Sequence, residues 1–108
     1  MTAYSAAARR TALGAAQGPG SHIYLTLGLC GEVGEIAEKV KKLIRDGDGT
    51  WDAERLALFH KELGDVYWYL ARLADESGSS LSAIAQMNID KLSDRQQRGV
   101  LGGSGDTR

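Results

Sequence analysis

Three segments of this chain carry apolar residues at spacings of three and four, and breakers bound each of them. That periodicity restricts the chain to helices. The first such segment holds Leu25, Leu29, Val33, Ile36, Val40 and Leu43, with Ser21 as a cap, and runs to about Arg45. Asp46-Gly47-Asp48-Gly49 stops it. The second holds Leu56, Phe59, Leu63, Val66, Leu70 and Leu73, starts from a cap at Asp52 and runs to about Glu76. After Ser77-Gly78-Ser79, a third segment starts at Ser80 or Ser82 and fades near Arg98, with Leu81, Ile84, Ala85, Asn88 and Leu92 on one side. The sole proline, in Gly18-Pro19-Gly20, separates a short first helix over about residues 2–15 from the rest. No window alternates over strand length. The expected architecture is all-α, a bundle of about four helices.

A chain of 108 residues is one domain. We place that domain at 1–98 and a glycine-rich tail at 99–108, expected to be flexible unless a ligand or partner orders it. A bundle this small often completes its core by association, so a homo-dimer or homo-tetramer is expected. The net charge of −1 gives no global field for a nucleic acid polymer or an anionic membrane. No stretch reaches the ~18 apolar residues of a membrane span. Cys30 is the one cysteine, so no intrachain disulfide forms, which suits a cytoplasmic protein. Residues 1–16 have arginines and alanines but no acid, a faint likeness to a transit peptide; a first helix is the simpler reading.

Two stretches thirty residues apart read almost alike: Glu32-Val-Gly-Glu35-Ile36 and Glu62-Leu-Gly-Asp65-Val66. Each puts two carboxylates at i and i+3, on one helix face. With Glu32 at zero on a wheel of ~100° per residue, Glu35 and Lys39 fall within roughly 60° on one side. The apolar stripe is centred roughly 70° away on the other. Asp65 and Tyr69 repeat the pattern from Glu62. Both acid pairs therefore flank the buried face, where ordinary solvated acids would oppose it. Four hard oxygen donors brought together call for a divalent cation, magnesium or manganese. Glu38, one turn on, is a candidate fifth ligand or half of a Glu38–Lys42 surface pair. Gly34 and Gly64 each cost roughly 1 kcal/mol mid-helix, which close helix approach or room for a ligand would explain.

These motifs resemble the MazG-like nucleotide pyrophosphohydrolases of the all-α NTP pyrophosphatase superfamily. Tyr4, Ala8 and Thr11 are similar to the family's first helix. Leu29 to Leu43 resembles its metal helix, Glu62-Leu-Gly-Asp65 its second acidic motif, and Asn88-Ile-Asp-Lys91 with Arg95 its third block. One position departs: Gly31 stands where the family often has a further glutamate. The ligand and catalytic role is therefore carried to Glu32, Glu35, Glu62 and Asp65 alone. The resemblance implies hydrolysis of a nucleoside triphosphate to the monophosphate and pyrophosphate, with Mg2+ or Mn2+, two or more ions per site.

Lys91, Arg95 and Arg98 share a face of the last helix and form a phosphate-sized cationic cluster, or a solvated face paired with Asp90 and Asp94. Lys39 is a further phosphate candidate, or balances Glu35. Tyr69 shares the face of the second acid pair and is a candidate for stacking on a base. Asn88, near the apolar face, either bonds the sugar or base or ties helices together. Trp51 and Trp68 are expected to pack, and His22 and His60 to have no role. The tail's backbone N–H groups offer another phosphate cradle. Two rivals share the pattern: a hydrolase of the same fold acting on another nucleotide such as phosphoribosyl-ATP, and a non-catalytic helical interaction module.

Overall fold

The computed structural model describes residues 2–108 and is all-α, with no strand among them. Helix α1 spans Ala3–Thr11, α2 Ser21–Gly47, α3 Ala53–Glu76 and α4 Leu81–Gln97; a single 3-10 turn, Gly14–Ala16, lies between α1 and α2. Asp52 and Ser80 cap α3 and α4 as expected, accepting from Arg55 N at 2.8 Å and Ala83 N at 3.0 Å. The cap of α2 differs from expectation. Gly20, at φ 80°, is the N-cap, and Ser21 is the first helical residue with its hydroxyl buried and without a partner among the described residues. Helix α1 is also shorter than its alanines suggest. The chain leaves the helix at Ala12, so that Ala12 and Ala16 both turn inward onto Leu25.

Helices α2 and α3 form an antiparallel hairpin closed by the loop 48–52. Its register reads off four cross-helix pairs. Gly28 meets Tyr69, Glu32 meets Asp65, Lys39 meets Glu62, and Gly47 meets Arg55. The first acidic motif therefore lies level with the second, near the hairpin's middle. The loop bends at Asp48, a non-glycine residue at φ 59°, and Gly49 N returns to Leu43 O at 3.1 Å.

The core is small and rich in alanine. Ala12, Ala16 and Leu25 form its centre, with Trp68, Tyr69 and Leu73 packed on them. Trp68 also donates from Nε1 to Thr11 Oγ1 at 2.8 Å, so it packs as expected and ties α3 to α1. Arg72 is 1% exposed and satisfies three acceptors: Asp75 at 2.7 Å, Glu76, and the Ala16 carbonyl at 3.1 Å. Arg9 of α1 reaches the same Asp75 carboxylate through Nε at 2.8 Å. This ion network fastens α1 and the 3-10 turn to the end of α3.

The apolar stripes are only partly covered within one chain. Val33, Leu56, Leu63, Leu70, Ile84 and Leu92 all remain substantially exposed. The radius of gyration is 16.9 Å, against about 13 Å for a compact chain of this length. Helix α4 packs on α3 with little of its own surface buried.

Candidate functional site

The hairpin register delivers three of the four expected acids to one spot. Carboxylate oxygens of Glu32, Glu62 and Asp65 lie within 4.8 Å of one another. Opposite oxygens of a magnesium octahedron stand roughly 4.2 Å apart, given bonds of ~2.1 Å. The trio is thus near the separation one ion requires, and its all-oxygen donors suit a hard cation. Glu32 and Glu62 are half-buried and Asp65 is exposed, so the cluster sits at the hairpin's rim and opens to solvent. Burial raises the Glu32 carboxyl above the ordinary glutamate range, and the charges of Asp65, Glu62 and Glu35 raise it further.

Glu35 contributes that charge but lies outside the trio. It is exposed one turn from Glu32 on the same side of α2. Glu38 is also exposed. Its partner is Lys41 at 3.0 Å, not Lys42, and that ammonium lowers its carboxyl below the usual range. Lys39 does reach the cluster, with Nζ 3.7 Å from Glu62 Oε1. It also lines a cleft of about 240 Å³ with Lys42, Trp51, Arg55 and Leu58. Trp51 packs there at a 5.1 Å ring separation from Phe59.

Tyr69 flanks the acids. Its ring lies across Gly28 and edge-on to Trp68, at 4.9 Å between centroids. Its phenol is raised by burial first, then by Tyr24, Glu32 and Asp65. Tyr4 is a neighbour that periodicity does not point to. Its ring packs 4.7 Å from Tyr67, and its phenol is raised by burial, by Tyr67 and by the charge of Asp65.

Of the two explanations for Gly34 and Gly64, close helix approach within one chain falls, and room for a ligand is untouched. Gly34 and Gly64 face open space, so neither permits a close approach within one chain. The close approach is at Gly28, where a Cβ would overlap the Tyr69 ring. Asn88 is exposed, not buried, because nothing among the described residues covers that face of α4; it lines a shallow hollow with Ile84, Met87 and Lys91. Lys91 and Arg95 do come together, but around Asp106, while Arg98 pairs with Asp94 at 2.8 Å.

Residues 20–100 match the MazG nucleotide pyrophosphohydrolase domain. The chain belongs to that family. The match contains α2, α3 and α4, and hence every acid of the cluster. Among curated proteins, the gene 37 protein of Mycobacterium phage L5 is 52% identical over 85 residues, which are 79% of this chain and 75% of that protein. No solved structure matches. Membership in the MazG family implies a domain of the nucleotide pyrophosphohydrolase type, and Glu32, Glu62 and Asp65 form an acidic cluster that could hold a metal ion. No helix among the described residues is long and apolar enough to cross a membrane.

Proposed function

We propose that this protein hydrolyses a nucleoside triphosphate to the monophosphate and pyrophosphate, with magnesium or manganese held by Glu32, Glu62 and Asp65. The convergence of those three carboxylates from two motifs thirty residues apart carries the reading. Glu35 joins the set by rotation of its side chain, being one turn from Glu32 on the same side. A bound ion supplies positive charge to phosphate oxygens and acidifies a water.

The chain's own residues do the rest. The carboxylates stay ionised when an ion offsets their repulsion. Lys39 moves from Glu62 toward a phosphate oxygen. Beside it, Lys42, Arg55 and Trp51 give the neighbouring cleft the chemistry for an anionic, aromatic ligand. Lys91 and Arg95 on α4 take further phosphate oxygens, with Tyr69 and Asn88 as contacts to the nucleoside and Arg98 as a reserve cation.

The working form is a homo-oligomer. Uncovered apolar residues on α2, α3 and α4, and an expanded chain, are what a protomer leaves for its partner.

Purified protein incubated with canonical and modified nucleoside triphosphates tests the proposal, with separate detection of pyrophosphate and monophosphate. Equal release of both products, dependent on metal and abolished by EDTA, is expected for at least one nucleotide. Absence of both products across the panel contradicts it.

A further inference from the structure

The glycine-rich segment after α4 does not leave the protein. It bends at Gly99, Gly103 and Gly105, whose φ values of 72°, 92° and 83° favour glycine, and returns to the helix it left. Arg108 holds the turn by donating to the carbonyls of Val100, Leu101 and Gly105. The result sets Asp106 against α4. Its Oδ1 accepts from Lys91 Nζ and from Arg95 Nη2, both at 3.1 Å, and its backbone carbonyl accepts from the same Nη2 at 3.1 Å.

The two sides of this contact differ. Arg95 is 4% exposed, the one buried residue of α4, and its Nε has no partner among the described residues. Asp106 has a side chain 82% exposed. A buried guanidinium with an unmatched N–H, one turn from an ammonium, is a built anion site. The aspartate fills it incompletely: a single carboxylate oxygen serves both cations. A phosphate group brings more oxygens and more charge.

We propose that Lys91 and Arg95 form a phosphate site which Asp106 holds in the absence of ligand, so that the tail is an internal competitor displaced by the phosphates of an incoming nucleotide. The idea rests on the reading of α4 as a phosphate-binding helix. Displacement breaks no covalent bond; the tail exchanges its carboxylate for the ligand's oxygens and swings away on its glycines.

The full chain tests it by calorimetry with inorganic pyrophosphate in EDTA, so that α4 is read apart from the acid cluster. Asp106→Asn should bind pyrophosphate about three- to tenfold more tightly than wild type. The gain should vanish when Lys91→Ala is added. Amide exchange over 99–106 in the wild type should accelerate on saturation with pyrophosphate. Unchanged affinity in Asp106→Asn beside weaker binding in Lys91→Ala overturns the competitor while leaving the phosphate site standing. No change in either variant, or no binding by any protein, overturns both. Weaker binding in Asp106→Asn makes the tail a supporting contact and also overturns the competitor.

Discussion

Glu32 on α2 and Asp65 on α3 present carboxylate oxygens within 4.8 Å of each other, with Glu62 completing the group. Like charges this close oppose folding unless a cation or a proton intervenes. On the proposed function, the metal-free protein carries that cost and a bound ion would offset it.

Removing a ligand should therefore cost activity while sparing the fold. Asp65→Asn or Glu35→Gln is expected to retain helical circular dichroism and to lose at least ~100-fold in turnover. Pyrophosphate release under saturating nucleotide measures it. Full turnover in both variants would remove the cluster from the chemistry.

The same repulsion predicts a stability signature. Millimolar magnesium or manganese should raise the melting temperature by linkage, and the rise should shrink in Glu32→Gln. The sign with pH follows from the raised Glu32 carboxyl. Its stabilising contribution in metal-free protein is present below the unfolded value and lost as pH rises through the folded one. Metal-free Glu32→Gln should then be the more stable protein at neutral pH. Thermal melts with and without EDTA decide the point.

Asp75 titrates in the opposite sense. Hydrogen bonds from Arg9 and then Arg72 hold its carboxyl below the ordinary aspartate range. Its contribution is present above the unfolded value and lost as pH falls through the lowered folded one. Asp75→Asn should destabilise by roughly 1.5–3 kcal/mol at neutral pH, the scale of a hydrogen bond to a charged group, because Arg72 keeps Glu76 and the Ala16 carbonyl. Denaturant titrations at pH 7 and in the acid range test both parts; an acid limb unchanged in the variant would contradict the assignment.

Much of this was legible in the sequence. Helix α3 begins where Asp52 predicts and α4 at Ser80, one of the two serines offered, because an N-cap acts through neighbours three residues away. The likeness of the two acidic motifs pointed to a meeting of Glu32, Glu35, Glu62 and Asp65; matching offsets from two core stripes do bring Glu32, Glu62 and Asp65 to one rim, while Glu35 stays outside the group. What depends on register was hidden. Gly28 and Tyr69 touch only because α2 and α3 pair at that level, and no spacing within either helix announces it. The inward turn of Ala12 and Ala16 answers to Leu25, a tertiary contact that local propensity does not carry. Asn88 looked buried because its stripe was apolar, yet a single chain leaves that stripe open.

The glycines offer a test of that difference. Gly28→Ala should destabilise by roughly 1–3 kcal/mol, since its Cβ meets the Tyr69 ring. Gly34→Ala and Gly64→Ala meet nothing among the described residues and should stabilise by up to ~1 kcal/mol through helix propensity. Chemical denaturation of the three variants checks this. Destabilisation by Gly64→Ala would point to a neighbour supplied by another copy.

Titration of the metal-free protein with Mn2+, read by electron paramagnetic resonance of the free ion, reports on the carboxylate cluster without any nucleotide present. The wild type should remove manganese from solution saturably, and the Glu32→Gln, Asp65→Asn double variant should leave it free while retaining its helical spectrum. Equal uptake by both proteins, or none by the wild type, would contradict a metal centre at these carboxylates.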